Sequence, residues 1–280
     1  MMSGAGKITP FGLLSRTLRP GTPSEARLVW YVVPIRISVP CSDDQQRHAL
    51  SNNNPNDPSG YLHLETVMKD VRSSSIAIHM RHGQQTTTAL CIDSQDGRWF
   101  EYLDKPYVRL KEVLGQGERG IESVECPCAL HLVILSSAER WWQEVIKGFN
   151  NEVLARERQV LETLVLMELS PHHGEITKSL HALVAHVQRY KSELQTALRI
   201  IRGLEDTTAD HSKCHGVSSQ QPMSLPSHLA EIGCLFEGLI LVVEELEKKV
   251  LRVIQLVRLT YLLPTDRDRV LVPTVPQNLV

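Results

Sequence analysis

The strongest constraint in this chain is an apolar seam near its C-terminal end. Leu229, Ile232, Phe236, Leu239, Val243, Leu246, Val250, Val253 and Val257 follow one another at spacings of three and four. Such spacing predicts a helix from Leu225 to Leu263 with a continuous apolar stripe, made to lie along another helix. Two further runs share the pattern. Ile176, Leu180, Leu183, Val187, Tyr190, Leu194, Ala197, Ile201 and Leu204 predict a helix from about Gly174 to Leu204. Upstream, Leu132, Leu135, Trp142, Ile146, Phe149, Val153, Val160 and Met167 predict one from about Pro127 to about Glu168, roughly 60 Å long. Glu139, Arg156 and Thr163 interrupt that last seam, and Ser136-Ser137-Ala138-Glu139 offers a capping box at which a new helix would start; one continuous helix is the preferred reading. Three such seams imply an antiparallel bundle or stalk.

Ahead of the helices the period changes to two. Ile76, Ile78 and Met80 alternate with Ala77, His79 and Arg81, Thr86 to Ile92 makes a second run, and Trp99 to Tyr102 starts a third after Asp96-Gly97. These predict a small antiparallel meander, with a short helix at Tyr107–Leu114 lying on it. The expected class is α+β: a small α/β domain over 61–125, then a mainly helical bundle over 126–263. Its expected flexible linker is 206–223, where Gly216 and Pro222 punctuate a polar stretch. Residues 1–60 are expected to be poorly ordered and 264–280 to form a disordered tail. Within the first region, Leu28–Val39 is apolar but broken by Pro34, and reads as an edge strand or part of a buried segment.

Composition excludes some functions. Thirty basic and 32 acidic side chains leave a formal net charge of −2, with no broad field to hold nucleic acid or an anionic membrane. Glu237, Arg252 and Arg258 break the best candidate membrane span, so no span is expected. Isolated cysteines predict reduced thiols and a cytoplasmic chain, with association to a membrane through a partner as the alternative. The acid-free first 24 residues fit a mitochondrial presequence in composition, though a tail is the plainer reading.

No motif carries enzymatic chemistry, so neither catalytic nor cofactor-binding residues are assigned. The glycines of Gly115-Gln116-Gly117-Glu118-Arg119-Gly120 have dinucleotide-loop spacing but follow a helical stretch instead of a strand. Cys126-Pro127-Cys128 is too tight for a zinc knuckle. The donors of Asp210-His211-Ser212-Lys213-Cys214-His215 read as scattered loop side chains, and the metal question stays open. Trp141-Trp142 reads as a plug between bundle and sheet more than as a ligand contact. The residues expected to carry function are therefore those of helix packing and assembly: Trp142, Ile146, Phe149, Leu183, Val187, Leu194, Phe236, Leu239, Val243, Leu246 and Val250.

The order of these features resembles the cytosolic part of fungal CorA-like proteins, relatives of magnesium transporters. The residues that carry the likeness are Ser73 to Arg81, Trp99, Arg109 to Leu114, Pro127 to Glu144 with Leu130-His131-Leu132 and Trp142, and Ile176 to Leu204. The resemblance covers roughly Tyr61 to Leu204. It implies a cytosolic module and a homo-oligomer or a partner helix, with Mg²⁺ as the one ion it suggests. The family's Gly-Met-Asn signature is missing; Gly148-Phe149-Asn150 comes near it but sits inside an amphipathic helix. No ion-pathway residue can be carried over.

Overall fold

The computed structural model describes residues 14–18, 26–40, 61–82, 87–93, 108, 129–166, 173–215 and 225–262. Five strands precede three helices, so the class is α+β. The strands are β1 (Leu14–Leu18), β2 (Ala26–Pro40), β3 (Tyr61–Leu64), β4 (Lys69–His82) and β5 (Thr87–Asp93). The helices are α1 (Ala129–Leu166), α2 (His173–His215) and α3 (Leu225–Leu262).

All strand pairings are antiparallel. β2 and β4 pair along their whole length, from Arg27 opposite His82 to Pro40 opposite Lys69. β1 adds to β2 at 26–30, while β3 and β5 share the far side of β4. The β4–β5 pair matches the expected meander; the third expected strand, Trp99–Tyr102, lies outside the described residues, as does Tyr107–Leu114 apart from Val108.

The region read as poorly ordered, 1–60, instead supplies β2, the longest strand and the centre of the sheet. Its alternate side chains Val33, Ile35, Ile37 and Val39 are buried on one face and Pro34, Arg36 and Ser38 on the other. Pro34 does not break it. Beyond Trp30 no described strand pairs with the edge of β2 away from β4, and the Pro34 carbonyl points off that edge to accept from Trp142 Nε1 of α1 at 3.3 Å. The backbone nitrogen of a residue shares the direction of its carbonyl in such a ladder, so the missing proline N–H costs the β2–β4 pairing nothing.

β3 and β4 form a hairpin through Glu65–Met68, with no glycine or asparagine to announce it. Met68 N donates to Glu65 O at 3.3 Å, and Met68 takes φ 52°. A side chain in that left-handed region costs about 1–2 kcal/mol. Met68 is half exposed, so little packing is lost on truncation. Met68→Gly is expected to raise stability by about 0.5–1 kcal/mol after the entropic cost of glycine, read as a higher urea midpoint with an unchanged slope.

α1 is one continuous helix, as preferred from its seam. Ser136 and Ser137 turn their hydroxyls back to the Val133 carbonyl instead of capping a new start. α2 runs past the expected stop at Leu204 to His215, so the first part of the expected linker 206–223 is helical. Adding residues to a formed helix needs no seam, only the absence of a breaker, and the first one is Gly216. The Asp210–His215 donors therefore lie on a helix and not in a loop.

α1 and α2 both pack on β2, and α3 lies against α1 and α2. Hence α3 occupies the outer layer, packed on the other two helices and not on the sheet to any extent. β3 approaches α1 at Gly148, where an added Cβ would stand 3.2 Å from Leu64 Cδ1. That contact accounts for a glycine in the middle of α1.

Candidate assembly site

The expected packing residues all lie in the interior. Trp142, Phe149, Leu183, Val187, Leu194, Phe236, Val243 and Val250 are almost fully covered, and Ile146, Leu239 and Leu246 nearly so. They form a single core with the buried face of the sheet. Each such side chain contributes about 1.5–3 kcal/mol when fully buried. The seams thus hold the chain to itself, and any contact between chains falls on other residues.

Where sheet and helices meet, a buried polar cluster pins them together. Arg36 of β2, with no exposed surface, donates from Nε and Nη2 to the two carboxylate oxygens of Glu193 on α2, at 2.8 and 2.7 Å. Arg189 Nε, one turn earlier on α2, donates to the same carboxylate at 2.8 Å. The Arg36 guanidinium also lies 5.1 Å from the centre of the Tyr190 ring, a cation–π distance. Tyr190 in turn meets Trp142 and Phe149 of α1 edge-on, with centroids 5.5 and 5.8 Å apart. One tyrosine therefore touches all three elements. Burial pushes its hydroxyl well above the ordinary phenol range, against the lowering effect of Arg36, so it stays a neutral packing group.

Smaller polar contacts repeat the theme. The Tyr31 hydroxyl of β2 hydrogen-bonds His131 Nδ1 at the start of α1. Glu152 of α1 accepts from the backbone N–H of Thr66 at 2.8 Å and pairs with Arg156 at 2.9 Å, and Arg156 reaches on to Glu65. The β3–β4 turn is held to α1 in this way, and Arg156, a polar interruption of the α1 seam, has a structural reason. Glu139, another interruption, is buried beside Gln143, and its burial raises its carboxyl above the usual carboxylate range. Trp142 plugs the junction of bundle and sheet, as its position in the sequence suggested; Trp141 beside it is also buried.

Charged side chains between helices are mutually paired. Lys191 meets Glu244 at 2.8 Å, Arg202 meets Glu237 at 2.6 Å, and Lys249 meets Glu157 at 3.3 Å. Between α2 and α3 runs an open groove of about 660 Å³ bounded by Arg199, Arg202, Ile240 and Leu241. Among the described residues no group of three or more His, Cys, Asp or Glu is placed to share a metal ion. Cys126 and Cys128 lie outside them, as does the Gly115–Gly120 stretch. No described helix is long and apolar enough to cross a membrane.

Apolar residues beside its seam (Leu235, Ile240, Val242, Leu251, Ile254 and Leu259) give α3 a wide face suited to a central place in the bundle or to contact with another subunit; α3 lies in the outer layer, and of these six only Ile254 is buried. Leu235, Leu241, Val242, Leu251 and Leu259 are each 43% exposed or more. Leu235 and Val242 lie to one side of the seam and Leu251 to the other, whereas Leu241 and Leu259 lie opposite it. Leu241 is the most open at 63%. No family model matches the chain, and no curated protein is similar to it.

Proposed function

We propose that this chain is a non-enzymatic module, akin to the cytosolic part of CorA-like proteins, that acts by helix-mediated self-association. The observation that carries the reading is the outer side of α3, where large apolar side chains stay uncovered after every seam has been packed. Scattered single apolar residues are ordinary on a surface; what supports an interaction face is that Leu241 and Leu259, both more than half exposed, share one line opposite the packed seam. The polar cluster supports the same reading from within. Arg36, Glu193 and Arg189 satisfy one another, and the tyrosine they surround is held neutral. They act as a fastening between sheet and helices, which gives a rigid platform for an outer helix.

The link to CorA-like proteins rests on the order of strands, Trp-bearing helix and two further helices, and it is tested with the ion that family suggests. Light scattering and thermal melting of the full chain, with and without millimolar Mg²⁺, are expected to give an oligomer whose mass or melting temperature shifts with the ion. An oligomer indifferent to Mg²⁺ would move the assignment to a scaffold unrelated to ions.

A further inference from the structure

The exposed face of α3 has an order that selects its own partner. At about 100° per residue, Cys234, Leu241, Glu245, Lys248, Arg252 and Leu259 fall on one line, opposite the buried Val243 and Val250. Cys234, Leu241 and Leu259 are exposed, and Glu245 and Lys248 are 65% and 61% exposed. Their separations of seven, four, three, four and seven residues are those of a second heptad line.

The charges along α3 are completely segregated. From Leu225 to Glu247 it carries Glu231, Glu237, Glu244, Glu245 and Glu247 and no lysine or arginine. From Lys248 to Leu262 it carries Lys248, Lys249, Arg252 and Arg258 and no acid. The helix macrodipole favours this sense of charge but acts only within the terminal turns, so it does not explain a change of sign at mid-helix. Partners within the chain account for part of it, since Glu237, Glu244 and Lys249 meet Arg202, Lys191 and Glu157. On the outer line the acid Glu245 still precedes the basic Lys248 and Arg252, and a second copy laid antiparallel sets Glu245 of each helix against Lys248 of the other, whereas a parallel pair sets like against like.

From this we infer that two copies of the chain dimerise through the outer line of α3, antiparallel, about a twofold axis beside residues 246 and 247. The inference rests on the self-association proposed above and gives it a surface and a register. Around that axis Glu245 faces Lys248 of the second copy, Leu241 lies on the aliphatic stem of Arg252, and Cys234 meets Leu259. Each contact occurs twice, as a self-complementary interface requires. Glu245 and Lys248 already pair within one chain at 2.7 Å. Their carboxylate and ammonium are therefore positioned to bridge the axis as a four-membered network.

Charge exchange at the axis tests this in the full chain. Lys248→Glu sets four carboxylates around the axis, and Glu245→Lys sets four ammonium groups there. Each variant alone is expected to weaken dimerisation about tenfold or more, since like charges are opposed. Mixed in equal amounts, the two variants restore both opposite-charge contacts and are expected to form a heterodimer close to wild type in affinity. Sedimentation equilibrium reads the result, and an unchanged far-ultraviolet circular dichroism spectrum shows that both exposed substitutions leave the fold intact. Variants that dimerise like wild type, or a mixture that fails to restore association, would overturn the register while leaving self-association standing. A wild-type chain that stays monomeric at every concentration would remove the self-association reading and the inference with it.

Discussion

Arg36→Ala is expected to destabilise the protein by about 3–5 kcal/mol, the usual consequence of breaking a buried ion pair from one side. The substitution removes both hydrogen bonds to Glu193 and the cation over Tyr190, and it leaves a cavity against β2. Arg189 remains on Glu193, so part of the stranded charge stays compensated and the cost falls toward the lower end of that range. The converse substitution separates specificity from stability. Replacing both partners, as R36M/E193M, fills the space with apolar side chains and removes both desolvated charges. Such exchanges are often neutral or even stabilising. The double variant is therefore expected to be more stable than either single one, by chemical unfolding. If R36M/E193M lost as much as the sum of the singles, the cluster would not be a coupled pair.

The second large effect is expected at Trp142. Its indole is fully covered, stacks edge-on against Tyr190 and donates to the Pro34 carbonyl. Trp142→Ala is expected to cost about 3–5 kcal/mol, as large-to-small changes of buried aromatic residues do. Trp142→Phe keeps most of the packed area and loses the hydrogen bond to the sheet edge, for which about 1 kcal/mol is expected. The difference between these variants in urea unfolding measures how far the indole acts as filler and how far as a cap for the open edge of β2. Equal losses for Ala and Phe would assign nearly everything to the hydrogen bond, contrary to the burial seen here.

The helices could be read almost directly, because a packed helix repeats its buried residues every three or four positions and Leu183, Val187 and Leu194 do so without interruption. The strands were harder. β4 carries Ser73, Ser74 and Ser75 in its middle, which blurs the alternation, and the β3–β4 turn uses Met68 where a glycine would have been the signal. In β2, Pro34 pointed away from a central strand. It is allowed there because, among the described residues, α1 and no strand meets that stretch of edge, a fact of tertiary structure that no local pattern contains. The same holds for the polar cluster. Arg36 and Glu193 stand 157 residues apart, and each looks in the sequence like an ordinary surface charge. Of the polar residues on the α1 seam, Arg156 reads as an imperfection but reaches Glu65 beside β3, while Glu139 bonds Gln143 of its own helix. The residues assigned to assembly from the seams are core residues, because a heptad line does not say whether its partner helix belongs to the same chain. The flanking Leu235, Val242 and Leu251 held that information as a widened apolar face.

The most direct test of the account is the molar mass of the wild-type chain by light scattering over a hundred-fold range of concentration. A mass rising toward twice that of the chain is the predicted result. A mass that stays at one chain throughout would contradict self-association and leave the outer face of α3 without its second copy.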